Sequence, residues 1–262
     1  MSELMYERIK ENLLTLKMPN TLETIDNYLE QAIKEKKSIV EVLDHIFTNE
    51  AKYRNLKSAN TRIQMAGFPF RKTLEDFDFD FQKSIDENQI MDLATMRFVH
   101  NAENVVFLGP PGVGKTHLAV SLGMIAARNR FKAYYISCHR LIEQLLEAHY
   151  ENRLAQKLKV FSKYSVLIID EIGYIPMDIQ GANLFFQLIA KRYEKSTTIF
   201  TSNKPFSQWN EVFSDVTIAA AILDRVLHHC NVVNIKGDSY RLKERKEHMK
   251  ATRRVNTLFE SN

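Results

Sequence analysis

Asn104–Thr116 reads NVVFLGPPGVGKT, and the rest of the chain is organised around it. Val105–Leu108 is a short apolar run of the kind that makes a buried strand. Gly109, four more residues, and then Gly114, Lys115 and Thr116 follow; beyond them Leu118, Ala119, Leu122, Ile125 and Ala126 carry helical spacing. Strand, glycine-rich loop and helix in that order are the setting in which G-x-x-x-x-G-K-[ST] means a phosphate cradle rather than a turn. Gly109, Gly112 and Gly114 let the backbone curl until successive N–H groups face one anion. Pro110 and Pro111 stiffen the start of the loop, where no ladder donor is lost. Lys115 can reach β- and γ-phosphates, the Thr116 hydroxyl can ligate Mg²⁺, and the helix opening there adds its positive end. Gly109–His117, Val113 and His117 included, is therefore the candidate binding stretch for a nucleoside triphosphate.

Composition bounds the setting. The 262 residues hold one large domain or two smaller ones, and 45% hydrophobic content is ordinary for a globular chain with a real core. No run approaches a membrane span, and MSELMYERIKEN lacks a signal peptide's apolar core, so the chain reads as cytosolic. Two cysteines, Cys138 and Cys230, suggest neither a disulfide framework nor a C-x-x-C metal site. The net charge of +4 is mild but uneven: Arg241–Arg254 carries seven Lys/Arg against two Glu. Such a run is a solvated helix face or tail, or a contact for nucleic acid.

The spacing of apolar residues predicts a small all-helical module over 1–57. Leu22, Ile25, Leu29, Ala32 and Ile33 recur behind a possible cap at Asn20 with Glu23, and Val42, Leu43, Ile46 and Phe47 follow a Ser38–Glu41 capping box. This module either packs on a core or docks another molecule. Over 58–84 the period breaks; a glycine, a proline and five phenylalanines suggest a linker, with Phe77 and Phe79 as candidates to stack under a base. From 85 to 262 the chain alternates. Helix is expected over Ile85–Phe98, Arg140–Phe161, Ala182–Lys195 and Ile218–His228. Strands are expected at Ala133–Ile136, Ser165–Asp170, Thr197–Thr201 and Val232–Ile235. Alternation predicts an α/β fold, a parallel sheet covered by helices on both faces.

Val166–Glu171 (VLIIDE) ends an apolar strand in two carboxylates, some fifty residues after the phosphate loop. Asp170 would hold Mg²⁺ through water and Glu171 would polarise the attacking water. Asn203, at the tip of the next strand, is either a turn former before Lys204-Pro205 or an amide set between γ-phosphate and water. Arg225 is either paired with a nearby carboxylate or supplied to a neighbouring subunit's γ-phosphate. His228 and His229 would point about 100° apart on a helix, and no second ligand pair is spaced to match, so no zinc site is expected.

The chain closely resembles the IstB-like transposition helper ATPases, an AAA+ branch similar to DnaC-type helicase loaders. The resemblance rests on residues 66–82, 109–123, 166–178, 201–229 and 237–243. It implies Lys115 and Thr116 as the Walker A pair, Asp170 and Glu171 as Walker B, Asn203 as sensor 1 and Arg225 as an arginine finger acting in trans. Arg241 is implied as the second sensor, acting in cis. ATP and Mg²⁺ are the implied cofactors. Duplex DNA, bound with little sequence preference, a transposase and further copies of the chain are the implied partners. About 27 residues after the fifth strand are too few for the usual AAA+ helical lid, so none is expected. Basic residues Arg140, Arg153, Lys157, Lys159 and Lys163 are candidate contacts to a phosphate backbone. A replicative helicase loader gripping single-stranded DNA, and a nucleotide-gated adaptor that hardly turns over, are the alternative readings.

Overall fold

The structure, a computed structural model, describes residues 2–243 and 245; most of the basic run 241–254 lies outside the described residues. The chain divides into two compact units, Met1–Thr61 and Arg62–Asn262.

The first unit is built on helices α1 (Ser2–Thr15), α2 (Pro19–Lys34) and α3 (Ile39–Met65), the last running on into the second unit. The Ser38–Glu41 box forms: the Glu41 carboxylate accepts from the Ser38 N–H at 2.7 Å, and the Ser38 hydroxyl accepts from the Glu41 N–H at 3.3 Å. The cap expected at Asn20 does not. Helix α2 begins one residue earlier, at Pro19, whose preset φ and missing N–H suit a first helical turn. Leu13, Met18 and Ile25 make a small apolar core. Helix α3 continues to Met65, eight residues into the stretch expected as linker.

The remainder of that stretch is no loose connector. Ala66, Leu74, Phe77 and Ile85 are buried in the second unit, where aperiodic aromatic residues fill space beneath the phosphate loop rather than forming an element of their own. Helices α4 (Glu87–Ala94, capped by Asp86) and α5 (Arg97–His100) follow, separated at Met96, whose φ of 64° splits the single helix expected there. Then come β1 (Asn104–Leu108), α6 (Lys115–Arg128), β2 (Ala133–Ser137), α7 (Cys138–Tyr150), α8 (Leu154–Ser162), β3 (Val166–Ile172), α9 (Ile179–Arg192), β4 (Thr197–Ser202), α10 (Trp209–Phe213), α11 (Val216–Leu227) and β5 (Cys230–Asn234). The 140–161 stretch is two helices rather than one. Asn152 takes φ 57°, and the Asn152 and Arg153 N–H groups close back onto His149 and Ala148 carbonyls, a left-handed helix stop that asparagine tolerates.

All strand pairs are parallel, in the order β2-β3-β4-β1-β5. The period of two sorts side chains between two cores. Val105, Phe107, Val166 and Ile168 face a cluster with α6 and residues 63–98; Val106, Leu108, Leu167 and Ile169 face one with α7 to α11. Because every strand runs the same way, all carboxyl ends lie on one edge, and the polar residues near the ends of β3 and β4 gather there beside the loop that follows β1. Beyond β5, the described residues form one helical turn from Tyr240. Among the described residues no helix is long and apolar enough to cross a membrane.

Candidate nucleotide-binding site

A cavity of about 400 Å³ opens at that edge, lined by Gly112, Gly114, Lys115, Thr116, Glu171, Thr201 and Asn203, among others. Gly109, Gly112 and Gly114 all take positive φ (151°, 83° and 102°). Crowding sharpens the requirement. A Cβ on Gly109 would stand 2.3 Å from the Ile235 carbonyl oxygen, and one on Gly112 would stand 2.1 Å from the Ser239 hydroxyl. The segment after β5 thus folds back along the phosphate loop, with the Ile235 N–H donating to Leu108 and the Tyr240 N–H to Gly112. This return brings Arg241 to the cavity wall.

Lys115 Nζ donates to the carbonyls of Gly109 (2.6 Å) and Pro110 (2.7 Å), so the ammonium sits in the mouth of the loop. Burial pulls its pKa down to about 8; the Asp170 and Glu171 charges oppose the shift and Arg241 adds to it. Val113 is fully buried beneath the loop, and Pro111 lines the cavity. His117 Nε2 bonds the Thr73 carbonyl at 2.7 Å, its ring edge-on to Phe77, and burial lowers its pKa.

Asp170 is 2% exposed and ringed by hydroxyls. Thr116 donates to it at 2.9 Å, Tyr135 at 2.7 Å, and Thr201 by a short bond to Oδ1. Burial and the neighbouring Asp170 charge push the Tyr135 phenol's pKa far up, so it stays a donor. Thr201 in turn accepts the Glu171 N–H at 2.9 Å. Between Ile169 and Ile172 the β3–β4 register shifts, and Glu171 adopts φ 63°, leaving its side chain exposed on the cavity while its neighbours stay buried. A bulge at a strand end is a device for re-aiming one side chain. The Asn203 side-chain oxygen is buried with no hydrogen-bond partner among the described residues, beside the same cavity. A buried polar atom left unpaired is costly unless something polar arrives to meet it.

Of the residues singled out from sequence, the structure gathers Pro111, Gly112, Gly114, Lys115, Thr116, His117, Glu171, Asn203 and Arg241 around one cavity, with Asp170 behind Thr116. It does not bring Arg225 there. That guanidinium donates to the Ala221 carbonyl and lies 4.8 Å over the Phe186 ring, with no carboxylate partner among the described residues. Phe77 and Phe79 do not line the cavity either. Phe77 is buried against Gly114, and the aromatic walls are Phe70, Tyr174 and Tyr240. Sequence reading missed Tyr135 and Thr201. The second stands near the end of β4, two residues before Asn203, which lies in the bend beyond the strand. Of the candidate DNA contacts, Arg140, Arg153, Lys159 and Lys163 are exposed, while Lys157 lies over the Phe161 ring.

A parallel sheet with a phosphate loop after β1 and an acidic strand end beside it defines a nucleotide-binding protein of the P-loop class. DnaI shares this fold, at 22% identity and a TM-score of 0.54 over 63% of this chain and 92% of that one. The chain belongs to the IstB-like ATP binding protein family, whose model matches residues 11–248. Its relatives include a protein named for ATP binding in insertion sequence IS232 of Bacillus thuringiensis subsp. berliner. That protein is 47% identical over 91% of this chain and 96% of its own length. Another, named likewise for insertion sequence IS21 of Pseudomonas aeruginosa, is 46% identical over 90% of this chain and 89% of its own.

Proposed function

We propose that the chain is an ATPase that serves a transposase, assembling on duplex DNA when ATP is bound and resetting when ATP is hydrolysed. The observation that carries the reading is the Thr116–Asp170 pair, 2.9 Å apart, facing a cavity that also holds Lys115 and Glu171. One hydroxyl and one carboxylate are the oxygen donors Mg²⁺ prefers, so this pair would hold it with water completing the shell. Bound there, Mg²⁺ would neutralise charge on the β- and γ-phosphate oxygens.

The chain's own groups account for the remaining work. Lys115 exchanges its two carbonyl partners for phosphate oxygens. Glu171 takes the proton of the attacking water as general base. Tyr135 and Thr201 keep Asp170 in one orientation, and the Asn203 amide meets the water or the γ-phosphate with its unpaired oxygen or its N–H. Arg225 lies off its own chain's cavity, which suits an arginine supplied to a neighbouring copy. The names of the insertion-sequence relatives support a partnership with a transposase, and exposed Arg140, Arg153, Lys159 and Lys163 suit a phosphate backbone read without base preference.

The test is binding to long duplex and to single-stranded DNA, with ADP and with a non-hydrolysable ATP analogue, at two salt concentrations. Assembly on duplex only with the analogue, weakened by salt, is expected. A clear preference for single strands, or DNA binding only with a helicase present, would replace this reading with that of a helicase loader.

A further inference from the structure

Away from the nucleotide cavity, Glu194, His228 and His229 converge from two parts of the chain. Glu194 lies in the turn between α9 and β4, His228 is the C-cap of α11, and His229 begins the turn into β5. His228 keeps helical dihedrals (φ −54°, ψ −48°) just past the end of α11, yet the two histidine side chains lie together. Their ring centroids are 4.0 Å apart. Glu194 Oε1 stands 3.6 Å from His228 Nδ1 and 3.8 Å from His229 Nε2, and all three ligand atoms lie within 4.8 Å of one another.

We propose that these three side chains bind one divalent transition-metal ion of the zinc class. Ligands held about 2.0–2.2 Å from a tetrahedral ion stand roughly 3.3–3.5 Å from each other. Both Glu194–histidine distances are within a few tenths of an ångström of that edge. Two imidazoles and one carboxylate are a recurrent donor set for an ion that keeps a position open to water. Imidazole selects zinc-like ions over Mg²⁺, which prefers oxygen alone, so the site is chemically distinct from the Thr116–Asp170 pair. The Tyr193 hydroxyl lies 2.8 Å from the same His228 nitrogen. In the ion-free chain it holds the ring, and it competes with the ion for that atom. Bound metal would fasten the end of α11 to the end of α9. These two helices carry Arg225 and the Phe186 ring beneath it, and Arg225 lies one turn before His228.

The experiment uses the full-length, untagged, nucleotide-free chain, titrated with Co²⁺ by visible absorption and with Zn²⁺ by calorimetry. One equivalent per chain, saturating well below millimolar ion and raising the melting temperature, is expected. His228→Asn and His229→Asn, near-isosteric changes at exposed positions, should each weaken binding roughly tenfold or more and abolish the melting shift. Asp170→Asn should leave Zn²⁺ affinity unchanged. Tyr193→Phe removes the competitor and should tighten binding about fivefold. Unchanged affinity in the His228→Asn/His229→Asn double variant, or no saturable binding below millimolar ion, would overturn the site. Weaker binding in Tyr193→Phe would overturn the assignment of His228 Nδ1 as ligand.

Discussion

The Met1–Thr61 unit buries Leu13, Met18 and Ile25 and leaves Leu4, Ile33, Ile39, Val40 and Phe47 largely exposed, whereas the Arg62–Asn262 unit fills both faces of a sheet. What the small unit lacks in apolar burial it supplements with a polar lock. Glu50, 3% exposed, accepts the Thr21 N–H at 2.9 Å and its hydroxyl at 3.0 Å. Arg54 donates to the same carboxylate at 3.1 Å and to the Leu16 and Lys17 carbonyls in the turn after α1. The larger unit carries one comparable device, the buried Arg192 guanidinium, which donates to the Phe161, Tyr164 and Thr197 carbonyls and to the Thr198 hydroxyl. Other polar bonds gather at the strand ends, where they position Asp170 and Lys115. A small unit cannot bury enough surface to be fixed by packing alone; a large one can, and its polar groups are free to serve chemistry.

The contrast is broken most sharply at Glu171, the proposed general base. Glu171→Gln should lower ATP turnover roughly 10²–10⁴-fold while analogue affinity stays within severalfold, since an exposed side chain on a bulge supports no packing. Steady-state turnover beside equilibrium binding decides it; unchanged turnover would favour the adaptor that hardly hydrolyses.

Next in size is a paired substitution that probes the source of stability in each unit. Phe200→Ala, at a fully buried position in β4, should cost about 3–5 kcal/mol and take analogue binding with it. Glu50→Ala, which leaves the Thr21 N–H and Arg54 without their acceptor, should cost about 1–3 kcal/mol and spare analogue binding. Denaturant unfolding measures both, and equal effects on ATP binding would erase the distinction between the units.

The smallest effect belongs to Lys115. Its pKa of about 8 without nucleotide is raised when phosphate charge arrives, so binding takes up a proton and weakens as pH rises through 8. Analogue affinity should fall about tenfold from pH 7 to pH 9, the fraction of ammonium lost over that span. Calorimetry in buffers of different ionisation heat reads the uptake directly, and affinity constant across that span would show that Lys115 keeps its proton.

Much of the second unit was legible from residues 104–116 and 166–171, because strand, loop and helix there are written in neighbouring residues. The strand ends were found to within two residues, and the phosphate loop lies where the motif predicts. The hydroxyl ring around Asp170 was not legible. Tyr135 and Thr201 come from other strands, and their meeting depends on parallel register rather than on any local pattern. Residues 66–84, the later part of the 58–84 stretch expected as a linker, send Ala66, Leu74 and Phe77 into the core for the same reason: their partners are distant in sequence. Glu194 escaped notice because a turn after α9 and the end of α11 are 34 residues apart along the chain.

By itself the sequence determined the five strands and the phosphate loop, since hydrophobic period and glycine placement act over a few residues. Only the tertiary structure decided that residues 235–243 close over that loop, that Arg225 lies apart from its own chain's cavity, and that Glu194 joins His228 and His229. Each of those depends on which distant surfaces pack together, and packing is settled by the shape of the whole core rather than by any single stretch of chain.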